Sequence, residues 1–484
     1  MRWRYFLILF LFAVARAPAQ GLPDLGDVAQ SDFSPLQERR LGEQIMREIR
    51  RDRSYYDDAE AIDYINTLGE RLVARSPDSR QNFEFFLIQD PQINAFALPG
   101  GFIGVNTGLL LSAQSESEVA SVLAHEVAHV TQRHIARMIA GQRQSQLTSL
   151  AALAIAILAA RASSQAAEAA AAFGTASAIQ TQLNFTREHE READRVGVQI
   201  LQDAGFDPRA MATFFERLQR ATRVYEGGAP AYLRTHPLTF ERIADVQNRV
   251  DALPYRQVPD SLEFQLIRAK LRAETQPPRD AVQWFEQSLA ERKFLSEVAS
   301  RYGLAVGLAR AGEHARAKKE LAAARKLAGQ SSPVFDTLDC RIRAVGRETR
   351  SAFGCYEEAL RIYPNYRALT YDYANALLES GRPEAALKLV ETRLQVYSED
   401  YKLYLLQARA YATLNNRLAQ HRAQGEAYAR MGNIPAAVEQ LQIALKTGQG
   451  DFYQLSATEA RLRELRRLND ELRREQGKPP ARDK

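Results

Sequence analysis

The C-terminal half of the chain repeats itself at an interval that few folds share. Helical segments turn near Pro278, Gly312, Gly346 and Gly381, which are 34, 34 and 35 residues apart. A 34-residue period is that of the tetratricopeptide unit, a hairpin of two antiparallel helices. Unrelated amphipathic helices with chance glycines are the alternative, and three successive matching intervals disfavour it. Because each hairpin buries its apolar face only against its neighbours, residues 259–475 are predicted to form an α-solenoid.

Small residues and the chain end support this interpretation. Ala305 and Ala317 flank one turn, and Ala374 and Ala386 flank another, where two helices must approach closely. A segment rich in Arg and Glu closes the repeats as a capping helix, and residues 476–484 form a loose tail. Two cysteines are too few for a disulfide framework. Cys340 and Cys355 fall in the two helices of one hairpin. The sequence is compatible with a disulfide between them and with two free buried thiols.

The N-terminus has the pattern of an export signal. Arg2 and Arg4 precede eleven apolar residues, and Ala17-Pro18-Ala19 supplies a small-residue cleavage site. Eleven apolar residues cannot cross a bilayer core of about 30 Å as a helix, which disfavours an uncleaved anchor. We therefore predict a signal peptide at residues 1–19 and a periplasmic location. Removing its three arginines reduces the net charge from +5 to +2, which indicates no nucleic-acid partner.

Between the signal and the repeats, residues 20–251 are predicted to form a mainly α domain with a small β-sheet. Residues 83–89 read as a strand, and a Pro-Gly-Gly turn at 99–101 separates two further strand-like pieces. A long helix begins at the capping box Ser115-x-x-Glu118 and is expected to continue to about residue 142. Residues 252–258, which contain Pro254, form a linker to the repeats.

The chemistry centres on the segment HEVAH within that long helix. His125 and His129 are four residues apart, so their imidazoles lie on one helical face and can hold a single cation. Two neutral imidazoles and a carboxylate suit zinc, with one position left for water. Glu126 is placed to accept a proton from that water, as a peptide-hydrolysing site requires. Chance would give such a motif in roughly one chain per hundred of this composition.

A third ligand is expected on another helix. The segment REHEREADRVG, at residues 187–197, carries Glu190 and Asp194 four residues apart. One can bind a metal while the other orients a ligating imidazole through its second nitrogen. From the residues alone, Glu188, His189 and Glu192 remain competing candidates.

HEVAH followed some 60 residues later by EREADRVG resembles the gluzincin metalloproteases, the family of the CAAX prenyl protease and the heat-shock protease HtpX. The resemblance covers nearly the whole mature chain. It implies one Zn²⁺, bound by His125, His129 and Glu190, with Asp194 orienting a ligating imidazole through its second nitrogen. A downstream His-Pro stretch implies that His236 covers the metal or helps bind substrate. The resemblance also implies that Arg242 steadies the cleft. We interpret His134, His314 and His421 as surface or packing residues.

The alanine-rich segment at residues 150–180 permits three interpretations: a buried helix, a flap over the active site, or a peripheral membrane contact. Its apolar run is eleven residues long, too short to span a bilayer. Alanine contributes little to membrane insertion, so burial or a flap is favoured.

The sequence therefore predicts an exported zinc endopeptidase whose repeats position it on protein partners. In the family that this sequence resembles, the exported members with repeats promote the assembly of outer-membrane β-barrels and degrade barrels whose assembly stalls. The resemblance implies unfolded or misassembled polypeptide substrates and docking to the barrel assembly machinery through the repeats. The alternative hypothesis is a chaperone or assembly scaffold whose zinc site is dormant, with His236 filling the open position.

Overall fold

The computed structural model describes residues 33–78, 81–140, 185–224 and 231–475. The predicted signal peptide at residues 1–19, the alanine-rich segment at 150–180 and the tail at 476–484 lie outside the described residues. Within the described ranges, no helix combines the length and apolarity needed to cross a lipid bilayer. The predicted fold class, a mainly α chain with one small sheet followed by helical repeats, is confirmed.

The N-terminal part packs helices around a three-stranded sheet. Its elements are α1 (Pro35–Ile49), α2 (Ala59–Val73), β1 (Glu84–Ile88), β2 (Ala95–Leu98), β3 (Phe102–Asn106), α3 (Thr107–Ser112), α4 (Glu116–Thr131), α5 (His134–Ala140), α6 (Arg187–Asp203), α7 (Arg209–Val224), α8 (Ala231–Thr235) and α9 (Phe240–Asp251). The linker predicted at residues 252–258 lies between α9 and the first repeat helix, in a stretch that contains no helix or strand.

The sheet has the order β1-β3-β2, with β1 parallel and β2 antiparallel to β3. The predicted turn between β2 and β3 is present, and both its glycines have positive φ. A Cβ at Gly100 would lie 2.6 Å from the Cα of Arg39, so only glycine fits there. β2 is an edge strand and packs against α4, which places the edge of the sheet beside the HEVAH segment.

The long helix predicted to reach residue 142 is instead broken, and this expectation was wrong. α4 ends at Thr131, and Arg133 takes a left-handed conformation with φ 54° before α5 begins. The Arg133 guanidinium donates to the carbonyl of Phe33 at 2.7 Å and to Glu38 at 3.2 Å. These tertiary bonds stabilise a break that local helix propensity does not indicate. The break folds His134 back towards the face of α4 that carries His129.

The C-terminal part is a series of antiparallel helix pairs. They are α10 (Leu262–Glu274), α11 (Pro278–Ala290), α12 (Glu297–Arg310), α13 (His314–Ala328), α14 (Pro333–Val345), α15 (Thr349–Ile362), α16 (Arg367–Glu379), α17 (Pro383–Leu394), α18 (Tyr401–Thr413), α19 (Arg417–Arg430), α20 (Ile434–Leu445) and α21 (Phe452–Glu475). Gly312 and Gly381 have positive φ at their turns, whereas at the third turn Arg347, not Gly346, is left-handed. A disulfide joins Cys340 to Cys355, with Cα atoms 5.4 Å apart.

A buried ionic cluster connects the repeats to the N-terminal part. Lys270 of α10 is 1% exposed, and its Nζ donates to Asp58 at 2.6 Å and to Glu60 at 2.5 Å. The hydroxyl of Tyr366 donates to the other oxygen of Glu60 at 3.1 Å. Glu274, one helical turn after Lys270, lies 4.0 Å from the same Nζ. We call Lys270, Asp58, Glu60, Glu274 and Tyr366 the interface cluster.

Candidate metal centre

Two imidazoles meet on the inner face of α4. Ser115 caps this helix by accepting the backbone N–H of Glu118 at 3.2 Å. The Glu118 carboxylate accepts the backbone N–H of Gln114 at 2.7 Å, so the predicted capping box is formed on the serine side only. His125 and His129 are fully buried, and their Nε2 atoms lie 3.0 Å apart. Burial lowers the pKa of His129 to about 3, which keeps its ring neutral and able to act as a metal ligand.

α6 brings a carboxylate to the same point. Oε2 of Glu190 lies 3.5 Å from Nε2 of His125, and its Oε1 lies 3.4 Å from Nε2 of His129. This approach requires Gly197 further along α6, because a Cβ there would lie 3.2 Å from the backbone nitrogen of His125. Burial alone would raise the pKa of Glu190. The charge of His236 and hydrogen bonds from His125 and His129 instead hold the pKa well below its ordinary value.

The second nitrogen of His125 has a carboxylate beside it. Nδ1 of His125 lies 3.0 Å from Oδ1 of Asp194. Arg242 binds Asp194 with two hydrogen bonds, from Nε at 2.7 Å and from Nη2 at 2.8 Å. Its Nη1 lies 2.6 Å from Glu190. Burial would lower the pKa of His125, but the two neighbouring carboxylates raise it to about 9, which shows how strongly this pocket attracts positive charge.

The second nitrogen of His129 has a partner that the sequence did not indicate. Nδ1 of His134 lies 2.9 Å from Nδ1 of His129, and its Nε2 lies 3.1 Å from Glu192. Glu192 in turn accepts from Arg137 at 2.9 Å. His134 is therefore a buried residue in contact with the centre, and its interpretation as a surface or packing residue missed this contact. Its place five residues after His129 fits the site only because the helix breaks between them.

His236 completes the centre from the start of the segment that leads into α9. It is fully buried, with Nδ1 3.0 Å from Oε1 of Glu190 and 3.3 Å from Nε2 of His125. Its Nε2 lies 3.5 Å from Oε1 of Glu126. The ring stacks on Tyr232 at 4.6 Å between centroids, and its backbone N–H donates to the Tyr232 carbonyl at 2.8 Å. These contacts aim the imidazole at the centre.

The four converging groups could hold one metal ion. His125, His129, Glu190 and His236 each offer one ligand atom, and these atoms all lie within 4.8 Å of one another. We call these four residues the metal cluster. Imidazole nitrogens with one carboxylate oxygen are a donor set typical of zinc.

Glu126 lies beside this cluster, outside the set of converging ligand atoms. It is fully buried, and burial raises the pKa of its carboxyl above the ordinary value, although His236 and His125 oppose the shift. The backbone of Ala97 in β2 faces the same carboxyl and lowers its pKa, but neither oxygen of Glu126 has a hydrogen-bond partner among the described residues. The competing candidates on α6 do not converge: Glu188 is exposed, and His189 stacks on His134 at 4.5 Å.

Similarity to known proteins agrees with this geometry. Peptidase family M48 matches residues 62–250, and a tetratricopeptide repeat family matches residues 348–410. The beta-barrel assembly-enhancing protease of Escherichia coli (strain K12) is 33% identical over 460 residues, covering 93% of this chain and 92% of the relative. A putative beta-barrel assembly-enhancing protease of Vibrio cholerae is 35% identical over 429 residues, covering 88% of each chain.

A more distant relative shares only part of the chain. The mitochondrial metalloendopeptidase OMA1 of Schizosaccharomyces pombe is 35% identical over 196 residues, which is 40% of this chain and 54% of the relative. The bacterial relatives therefore match peptidase region and repeats together.

Proposed function

Because the chain belongs to the beta-barrel assembly-enhancing proteases, within peptidase family M48, we propose that this metalloendopeptidase is a periplasmic zinc enzyme of outer-membrane protein assembly. The family predicted from HEVAH and EREADRVG is thereby confirmed. The observation that carries the proposal is the convergence of four buried donor atoms within 4.8 Å, with a buried glutamate beside them.

His125, His129 and Glu190 are the proposed ligands of one zinc ion per chain. Asp194 and His134 each hold one of the two imidazoles through its second nitrogen, at 3.0 Å and 2.9 Å. Such partners fix the orientation of a ligand and strengthen metal binding. Arg242 does not contact the imidazoles in this role; its two hydrogen bonds to Asp194 fix the position of the carboxylate that orients His125.

When bound, zinc supplies Lewis-acid chemistry, lowering the pKa of a water and polarising a peptide carbonyl. Glu126 accepts the proton of the attacking water and delivers it to the leaving amine. Its buried carboxyl has a raised pKa, which brings it closer to the range in which a group both takes up and releases a proton. The carboxyl faces the backbone of β2 at Ala97, and both its oxygens are without a hydrogen-bond partner among the described residues, so they are available to a water.

β2 is proposed to bind the substrate as an added strand. It is an edge strand of the sheet, packs against α4, and faces the Glu126 carboxyl at Ala97. An extended polypeptide that pairs with such an edge presents its peptide bonds in register with the catalytic carboxylate. Unfolded or misassembled chains can adopt this extended form, whereas folded proteins cannot. The repeats are proposed to dock on the barrel assembly machinery, since solenoids offer extended protein-binding surfaces.

A second candidate function is a chaperone or assembly scaffold with a dormant zinc site. One observation favours it: Nδ1 of His236 lies among the other ligand atoms, where it would fill the position a substrate carbonyl needs. In that state the protein would hold unfolded chains without cutting them. Release of His236 would convert it to the peptidase, so the two functions share one site.

The test is metal content and cleavage of an unfolded protein by the wild type, Glu126→Gln and His236→Ala. Glu126→Gln is expected to keep one zinc per chain and to lose cleavage by at least about 10³-fold, since the general base is removed. Faster cleavage by His236→Ala would indicate a site closed at rest, and slower cleavage would indicate that His236 binds substrate. Cleavage by Glu126→Gln at the wild-type rate would overturn the proposal.

A further inference from the structure

The first repeat contains a cavity that the peptidase chemistry does not use. It has a volume of about 230 Å³ and lies between α10, α11 and the loop that leads into α12. That is smaller than the roughly 300 Å³ at which clefts for drug-sized ligands begin, so the cavity suits one large residue rather than a longer segment. Its walls combine two features, a pair of arginines and an exposed aromatic side chain.

The first feature is positive charge without a matching carboxylate. Arg268 and Arg272 are one turn apart on α10, and both line the cavity. Among the residues that the structure describes, neither guanidinium forms an ion pair with a carboxylate, and Arg268 donates to the carbonyl of Leu111 at 3.2 Å. Burial lowers the pKa of Arg272, and burial with the like charge of Arg272 lowers that of Arg268. Both guanidinium groups are therefore partly desolvated and under-neutralised.

The acidic group in the described lining is Asp260, whose charge acts on Arg268 but which forms no ion pair with either arginine among the described residues. Its Oδ1 accepts the backbone N–H of Glu116 at 2.7 Å. The third cation of the lining, Lys293, is paired with Glu291 at 2.7 Å on the exposed loop. The two arginines are thus the groups in the cavity with unused capacity for an anion. A planar carboxylate matches a guanidinium with two parallel hydrogen bonds.

The second feature is an aromatic wall that remains open. Trp284 is 40% exposed, and the guanidinium of Arg272 lies 4.6 Å from its ring centroid. Leu295 on the adjoining loop is 70% exposed, and Phe285 forms the floor of the cavity. Large apolar side chains exposed around a concavity indicate a site for another apolar group. Stacking on Trp284 also holds Arg272 in place, so its charge is already oriented.

We propose that this cavity binds the carboxyl end of a polypeptide whose last residue is aromatic or large and aliphatic. A C-terminal residue carries a carboxylate and an apolar side chain on the same Cα, so one residue meets both features within the volume available. With an internal acidic residue, the carboxylate and the apolar side chain would come from two adjacent residues, and the cavity would have to hold both. The inference rests on the proposed function for the origin of such chains, but the binding itself is independent of the metal cluster.

The test uses the protein after cleavage of the predicted signal peptide, with Glu126→Gln so that bound peptides are not cut. Of the two tryptophans in the sequence, Trp3 lies in that signal peptide, so Trp284 is the one that reports on binding. An N-terminally labelled octapeptide ending in Phe is titrated by fluorescence anisotropy, as the free acid and as the C-terminal amide. The acid is expected to bind at least about 10-fold more tightly and to shift the Trp284 emission.

Arg272→Met should weaken binding of the acid to the level of the amide, whereas Arg272→Lys should retain part of the difference. Arg361→Met, at an exposed repeat arginine, is the control and should change nothing. A circular dichroism melt of each variant excludes unfolding as the cause. Equal binding of acid and amide by the wild type would overturn the proposal. So would tight binding of an amidated peptide with an internal Glu-Phe pair, or a Trp284 response only to vesicles of phosphatidylglycerol.

Discussion

Two buried clusters of charged residues differ in where their cation comes from. In the metal cluster, imidazoles and a carboxylate converge on a point with their nitrogen and oxygen atoms within 4.8 Å of one another. In the interface cluster, Lys270 occupies the corresponding centre and satisfies Asp58 and Glu60 at 2.6 Å and 2.5 Å. The metal cluster is completely buried, as are Lys270 and Glu60 at the centre of the interface cluster, whose other members are half-buried. The first is arranged around an ion from solution, and the second carries its cation covalently.

This difference separates binding from stability. A cluster closed by its own lysine has no capacity to bind a further cation, so its free energy contributes only to holding the repeats on the N-terminal part. In the metal cluster, the covalent cation Arg242 contacts Glu190, but the ligand atoms converge on a point that a cation from the solvent can occupy. The free energy of filling that point appears as metal affinity and activity. Burial alone therefore does not identify a functional site; the convergence of metal-ligand donor atoms on one point does.

The largest change in stability is expected from Lys270→Met. The substitution leaves the buried Glu60 and the half-buried Asp58 without their cation, and breaking a buried ion pair on one side costs about 3–5 kcal/mol. The free energy of unfolding, measured by urea denaturation, should fall by that amount. The zinc affinity of the folded protein should stay within about 2-fold of the wild type. Lys388→Met, at an exposed lysine of α17, is the control and should change the stability by less than about 0.5 kcal/mol.

Metal removal is expected to affect the other cluster. If zinc is present at about 1,000 times its dissociation constant, its binding stabilises the folded state by about 4 kcal/mol. A chelator should therefore lower the unfolding midpoint of the wild type, and added zinc should restore it. The same chelator should have little effect on Glu190→Gln, which lacks the carboxylate ligand. An equal loss in both proteins would show that the chelator acts elsewhere.

A smaller effect is expected from His134→Ala. It removes the group that contacts Nδ1 of His129 at 2.9 Å, and loss of such an orienting partner costs about 10–100-fold in metal affinity. Competition with a zinc-binding dye measures this change. Asp194→Asn should give a loss of similar size, since Asp194 holds the other imidazole. His314→Gln in the repeats is the control. Unchanged affinity in His134→Ala would show that His134 only fills space.

The two clusters also differ in how far the sequence reveals them. His125 and His129 follow from the four-residue spacing within one helix, and Glu190 was selected among its neighbours by resemblance to a family. The partners of Lys270 lie some 210 residues away in the chain, so no local pattern indicates them. A buried lysine on a repeat helix looks like any solvent-exposed lysine until the tertiary contact is known.

His134 shows a second limit of the same kind. Its position is compatible with the site only because Arg133 adopts a left-handed conformation, and that conformation depends on bonds to Phe33 and Glu38. Helical periodicity predicted a continuous helix and placed His134 away from the metal. The repeat period, by contrast, predicted the paired helices of the solenoid, because each hairpin is determined by contacts within and between adjacent units.

The smallest effect, and the finest test of the comparison, is expected from Gly197→Ala on α6. Alanine favours a helix over glycine by about 1 kcal/mol, which would stabilise the protein. Its Cβ, however, would lie 3.2 Å from the backbone of His125 and push α6 outward by a few tenths of an ångström. The free energy of unfolding without metal should therefore change by less than about 1 kcal/mol, because the two effects offset each other. The zinc affinity should fall by a few fold, because Glu190 and Asp194 move away from both imidazoles together.

Gly307→Ala, on repeat helix α12, is the control for helix propensity, since a Cβ there meets Val282 at 3.3 Å and no part of either cluster. If Gly197→Ala lowers the stability without metal but leaves zinc affinity unchanged, the close packing of α6 on α4 serves the fold rather than the metal cluster.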